Sequence, residues 1–140
     1  MITVTKEFTF DAGHRLMRHK GACKNLHGHT YKLQVSFSNE YLDENDMIMD
    51  FKKLKEVVAP IINEFDHAMI LNQDDDKIIE LCKSNDFKYV LINGDPTAEN
   101  MCLFIGSTIE KNLVELGDNV YDISIKLWET PTSFAEVTNA

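Results

Sequence analysis

Residues 30–38 alternate without a break: Tyr31, Leu33, Val35 and Phe37 fall on one parity and Thr30, Lys32, Gln34, Ser36 and Ser38 on the other. A period of two sends successive side chains to opposite faces of a strand, so this segment belongs to a sheet with one apolar and one wet face. Residues 2–10 repeat the pattern, with Ile2, Val4, Phe8 and Phe10 against Thr3, Thr5, Glu7 and Thr9, and Lys6 as the exception. Val120–Glu129 alternates again, with Tyr121, Ile123, Ile125 and Leu127 inward. The apolar face of such a sheet needs a cover. The period lengthens to three or four at Phe51, Leu54, Val58, Ile61, Ile62 and Phe65, behind Asp50 as N-cap, which predicts an amphipathic helix that Pro60 should kink or restart. A second long helix is predicted from Pro96 and Thr97 to Gly117, with Met101, Phe104, Ile105, Ile109, Leu113 and Leu116 as its stripe. Between them, the polar stretch from Asn72 to Asp95 is expected to hold a short helix near Ile78–Lys83 and a short strand near Phe87–Ile92, and a tail strand is expected near Phe134–Val137. The order reads as α+β, an antiparallel sheet with two main helices packed on one face.

The 140 residues suit a single domain spanning 1–140, and a chain of this length buries enough surface to fold without disulfides or a metal. Any metal site must therefore be justified by chemistry. Twenty-three acids against fourteen Lys and Arg give a formal charge of −9, so most of the surface would repel a phosphate backbone or an anionic bilayer. Neither nucleic acid nor membrane is expected as a partner. No apolar run approaches a membrane span, and the opening MITVTKEF has no basic region followed by an apolar one, so a cytoplasmic location is expected. Cys23, Cys82 and Cys102 form no C-x-x-C; the last two sit at helical spacing among apolar residues and read as core.

Chemistry concentrates in Cys23-Lys-Asn-Leu-His27-Gly-His29. His27 and His29 continue the parity of Tyr31 and Leu33, which aims two imidazoles at the buried side. One of them could be a hydrogen-bonded core residue and the other frayed into a loop, but His14 continues the parity of Phe8 and Phe10 and brings a third ring to the same face. Three neutral imidazoles with an open fourth position make a catalytic zinc site, and no carboxylate completes the facial triad that would favour iron. Cys23 is either a small buried hydrophobe or, among Arg15, Arg18, Lys20 and Lys24, a thiol favoured as thiolate and able to act as a base. Asp66-His67 reads as a surface pair at a helix end or as a proton relay. Glu129 ends the inward series of the last long strand, so either the strand has left the core at Trp128 or a carboxylate floors a pocket and grips an amidine-type edge such as a pterin presents. Thr97 and Glu99 serve as cap and dipole partner, or border the same pocket. From Ala12 through Asn39 there is no acid, while Arg15, Arg18, Lys20, Lys24 and Lys32 are all present: a chance run on a solvated loop, or a basic island for an anionic substrate such as a phosphate ester.

Taken together, Phe-Asp-Ala-Gly-His14-Arg-Leu, Cys23-x-x-x-His27-Gly-His29, Met-Asp50-Phe51, Phe-Asp66-His67, Pro96-Thr-Ala-Glu-Asn100 and Trp-Glu129-Thr resemble the 6-pyruvoyltetrahydropterin synthase family, in the same order along nearly the whole chain. The three-residue gap between Cys23 and His27 resembles the bacterial 6-carboxytetrahydropterin synthases of queuosine biosynthesis. The resemblance implies the tunnelling fold and a homohexamer, a dimer of trimers with active sites at subunit interfaces. It implies Zn2+ on His14, His27 and His29, Cys23 as general base, Asp66 and His67 as relay, and Glu129 as pterin anchor with Thr97 and Glu99 nearby. The implied substrate is 7,8-dihydroneopterin triphosphate, converted to 6-carboxy-5,6,7,8-tetrahydropterin with release of acetaldehyde and triphosphate. The nearest alternative is the same fold making 6-pyruvoyltetrahydropterin, without acetaldehyde. A zinc hydrolase on a nucleotide-like substrate and a non-enzymatic zinc- or pterin-binding module are the readings from other classes; the hydrolase needs no cysteine, and the module needs neither Cys23 nor His67.

Overall fold

A computed structural model describes residues 1–118 and 121–138. Strand β1 (Ile2–His14) pairs antiparallel with β2 (His27–Asn39) along their whole length, from Ile2 opposite Asn39 to His14 opposite His27. Strand β2 pairs antiparallel with β5 (Asp122–Thr130), and β5 with β6 (Ser133–Thr138) across a register shift between Trp128 and Thr130. Toward the 14–27 connection, β1 runs four residues and β2 three residues beyond their cleanest alternation. Val120, where the last long strand was expected to begin, lies outside the described residues.

The other edge of the sheet departs from the all-antiparallel expectation. Strand β3 (Ala68–Asn72) lies parallel to β1, and β4 (Tyr89–Ile92) parallel to β3, giving the order β4-β3-β1-β2-β5-β6. Parallel neighbours need a crossover, and helix α2 (Asp76–Asn85) supplies it. Ala68 and Ile70 enter the main core while Leu71 packs with Ile78, Ile79 and Cys82 of α2. A strand buried on both faces carries no polar alternation, which is why Ala68–Asn72 does not announce itself as a strand. The expected short helix and short strand of this region are α2 and β4.

Helices α1 (Phe51–Phe65) and α3 (Ala98–Glu115) cover the inner face. Asp50 caps α1 by accepting from the Lys52 N–H, and Thr97 caps α3 by accepting from the Asn100 N–H. Past the end of α3, Gly117 takes a φ of +73° that L side chains rarely adopt. Pro60 neither divides nor restarts α1. A mid-helix proline costs about 3 kcal/mol, whereas each of Leu54, Val57, Val58, Ile61 and Phe65 contributes roughly 1.5–3 kcal/mol on burial, so packing decides. Two members of the expected stripes are not core: Phe51 and Leu116 are 55% and 62% exposed, because each lies in a terminal turn. The sheet contributes Phe10, Tyr31, Leu33, Val35, Phe37, Ile123, Ile125 and Leu127 to the buried cluster.

Candidate metal centre and active site

The β1–β2 ladder sets His14 opposite His27 and Ala12 opposite His29, so all three imidazoles stand on the core parity at one end of the sheet. Ring centroids are 4.6 Å apart for His14 and His27, 5.0 Å for His14 and His29, and 5.1 Å for His27 and His29. The inward parity of β5 ends on Glu129, whose Oε1 lies 2.9 Å from His29 Nε2 and 3.7 Å from His14 Nε2. One ligand atom from each of the four residues lies within 4.8 Å of every other. The expectation that no carboxylate joins the imidazoles is thereby corrected, since Glu129 does.

The outer ring nitrogens of His14 and His27 are held by backbone. His14 Nδ1 is 2.8 Å from the Pro96 carbonyl and His27 Nδ1 is 2.7 Å from the Asn25 carbonyl. A carbonyl only accepts, so each Nδ1 carries a proton and Nε2 is the nitrogen of each ring left to turn a lone pair inward. Those two Nε2 atoms are 3.1 Å apart, a separation at which two lone pairs repel unless a cation lies between them. His29 Nε2 is buried without a hydrogen bond; its close approach to Glu129 lacks the direction of one. Burial lowers the His14 pKa, aided by His27 and His29 and opposed by the Pro96 bond and Glu129, which favours the neutral form that ligates. Three imidazole nitrogens and a carboxylate oxygen, with the outer nitrogens of His14 and His27 bonded to carbonyls, fit a divalent metal of zinc type.

The remaining expected residues are placed as follows. Cys23 lies half-buried in a 3-10 turn (Ala22–Lys24) of the connection between β1 and β2, where its carbonyl accepts from the Leu16 N–H. Its sulfur is not among the clustered ligand atoms. His67 is a non-glycine residue at φ +60°, with its N–H bonded to the Asp11 carbonyl at 2.6 Å. Asp66 Oδ1 accepts from the Asp11 N–H at 3.0 Å while Oδ2 lies 3.0 Å from His67 Nδ1. The Asp11 N–H and then His67 hold the Asp66 carboxyl below its ordinary range. His67 shares the lining of a cleft of about 830 Å³ with His27, His29, Met69 and Phe87. A second cavity, of about 510 Å³, has His29, Lys32, Trp128 and Glu129 in its wall. Thr97 is the cap of α3 and Glu99 is exposed in its first turn; neither lines these cavities. Cys82 and Cys102 are core, and burial pushes the Cys102 thiol up to about 11.

The basic island is partly spoken for. Arg15 makes two 2.6 Å bonds to the Asp75 carboxylate, which is 2% exposed. Lys32 lies 3.5 Å from Glu7 and 4.2 Å from the centre of the Trp128 ring. Arg18, Lys20 and Lys24 are exposed on the β1–β2 connection. Asn72, Asp75 and Asp95 lie in the polar 72–95 stretch, outside its expected short helix and short strand, where no period marks them.

A family model described as 6-pyruvoyl tetrahydropterin synthase matches residues 3–140. Proteins named 6-carboxy-5,6,7,8-tetrahydropterin synthase are similar over nearly the whole chain. That of Rickettsia felis is 39% identical, covering 98% of this chain and all of the relative. That of Haemophilus influenzae is 38% identical over 97% and 98%, and that of Aquifex aeolicus 35% over 95% of each. A crystal structure from Wolinella succinogenes superposes with a TM-score of 0.80 at 24% identity, covering 99% of this chain and 98% of that one. The 6-pyruvoyl tetrahydropterin synthase of Plasmodium falciparum gives 0.76 at 20% identity over 98% and 96%, so the fold is shared.

Proposed function

The chain belongs to the 6-pyruvoyl tetrahydropterin synthase family, and from that premise we propose that it is a 6-carboxy-5,6,7,8-tetrahydropterin synthase, a lyase that takes 7,8-dihydroneopterin triphosphate and one water to the carboxylated tetrahydropterin, acetaldehyde and triphosphate. The observation that carries this reading is the convergence of His14, His27, His29 and Glu129 at one end of the sheet. The carboxy product is preferred to the pyruvoyl one because relatives at 35–39% identity over nearly the full chain bear that name. The finer context belongs to the same proposal: queuosine biosynthesis, a cytoplasmic homohexamer built from two trimers, and one domain acting as the unit. No helix among the described residues is long and apolar enough to cross a membrane.

His14, His27 and His29 would hold zinc, which supplies Lewis acidity to the hydroxyls of the substrate side chain and acidifies the neighbouring C–H. Glu129 would grip the N–H edge of the pterin through charge-assisted hydrogen bonds, with Thr97 and Glu99 at the border of the site. Cys23 as thiolate would remove the side-chain proton. His67, oriented by Asp66, would move protons as triphosphate leaves and the carbon–carbon bond breaks. His67 is 77% exposed, and this supports a site completed across a subunit boundary rather than within one chain. Arg18, Lys20 and Lys24 remain for the triphosphate, because Arg15 is engaged by Asp75.

Alkylation of the thiol in zinc-loaded protein separates this chemistry from simple hydrolysis. Loss of turnover on alkylation, matched by Cys23→Ala with zinc retained, is the expected result. Full turnover without the thiol would favour a zinc hydrolase.

A further inference from the structure

We propose that the Asp95 carboxylate is a positioning residue of the metal centre, tying together the two backbone segments whose Pro96 and Asn25 carbonyls orient His14 and His27. The inference rests on the metal reading above and concerns what holds the ligands in place.

Each carboxylate oxygen has its own donor from a different part of the chain. Oδ1 accepts from Asn72 Nδ2 at 3.0 Å and Oδ2 from the Arg18 N–H at 3.1 Å. Asn72 ends β3, is 1% exposed and is itself fixed, its Oδ1 accepting from the Asp74 N–H at 2.9 Å. Arg18 belongs to the β1–β2 connection. That connection is closed by the Leu16 N–H to Cys23 carbonyl bond at 2.8 Å and leads to Asn25, the acceptor for His27 Nδ1.

Asp95 is also pinned through its backbone. Its carbonyl accepts from Asn100 Nδ2 at 2.9 Å and from the Thr97 N–H at 2.8 Å, and the next carbonyl, that of Pro96, accepts from His14 Nδ1. Gly94 before it has a φ of +87°, and a Cβ there would fall 2.9 Å from Asn100 Nδ2, so this turn is held tightly against α3. The side chain thus joins β3 to the Cys23 connection from the residue next to the His14 acceptor. Groups that orient metal-bound imidazoles typically change affinity about 10–100-fold when lost.

An amide at position 95 keeps the shape but turns an NH2 toward one of two N–H donors, which breaks one arm. Zinc affinity by chelator competition, and the visible absorption of the cobalt(II)-substituted protein, should be measured for wild type, Asp95→Asn, Asp95→Ala and Asn112→Ala. The last removes an α3–α1 bond far from the site. The expected result is about tenfold or more weaker zinc binding and an altered cobalt spectrum in both Asp95 variants, with Asn112→Ala like wild type. Wild-type affinity and spectrum in Asp95→Asn and Asp95→Ala would overturn the inference, as would equal weakening in Asn112→Ala. Asp95→Asn decides if Asp95→Ala does not fold. Wild type that binds no zinc would remove the metal reading itself, a distinct failure.

Discussion

His14 Nε2 and His27 Nε2 lie 3.1 Å apart, with the Nδ1 of each ring already bonded to a carbonyl. Two imidazoles built this way are pre-oriented metal ligands, and the repulsion between their Nε2 lone pairs is relieved by a cation. Single His14→Ala, His27→Ala and His29→Ala proteins should each lose stoichiometric zinc while keeping the secondary structure of the parent. Metal analysis after gel filtration checks this; full zinc content in any one of them would remove that residue from the ligand set.

The metal-free protein should weaken as it is acidified. Burial lowers the His14 pKa below its ordinary 6.5, so on acidification the unfolded chain takes up the proton first. More protons on the unfolded state means that stability rises with pH. The contribution is therefore present above 6.5 and lost as pH falls from there toward the lower folded value. Thermal unfolding of the apoprotein between pH 7.5 and about 5 should show a falling Tm, and His14→Gln should flatten that slope.

Glu129 touches the imidazoles and also lines the cavity beside Trp128. If it anchors pterin, Glu129→Gln keeps zinc bound by three histidines but loses charge-assisted hydrogen bonds worth about 1.5–3 kcal/mol, a rise in KM of roughly tenfold to a hundredfold. Equilibrium dialysis of zinc alongside steady-state kinetics checks both halves. Loss of zinc with unchanged KM would make it a ligand instead.

Asp66→Asn removes the negative charge beside His67 Nδ1 yet keeps the side chain's shape and an oxygen to accept from the Asp11 N–H. General acid–base steps contribute typically 10²–10⁴-fold, so kcat should fall by about two orders of magnitude with zinc content unchanged. His67→Ala should be at least as slow, and the double variant no slower than the worse single one, because the two act as a unit.

The Arg15–Asp75 pair is structural. Asp75 is 2% exposed and Arg15 is partly exposed, so Asp75→Ala removes two charge-assisted hydrogen bonds but leaves a guanidinium that water can reach, at a cost of about 1.5–3 kcal/mol. Denaturant unfolding would measure it, and a change below 1 kcal/mol would mean that solvent screens the pair.

Parity made most of this centre legible. His14, His27, His29 and Glu129 each continue an apolar alternation, so strand geometry alone brings them to one face. The parallel edge escaped because Ala68–Asn72 is buried on both faces and has no alternation to see. Asn72, Asp75 and Asp95 escaped for a different reason. Their partners are 23, 60 and 77 residues away in sequence, so nothing local distinguishes them from ordinary loop polars. Arg15 illustrates the same limit from the other side: it counts toward a basic island until Asp75 is seen to hold it.

The most direct test is to incubate the zinc-loaded protein with 7,8-dihydroneopterin triphosphate and follow products by mass spectrometry. Equimolar acetaldehyde and 6-carboxy-5,6,7,8-tetrahydropterin, absent with Cys23→Ala, are predicted. Triphosphate release with a pyruvoyl pterin and no acetaldehyde, or no turnover at all, would contradict the proposed activity.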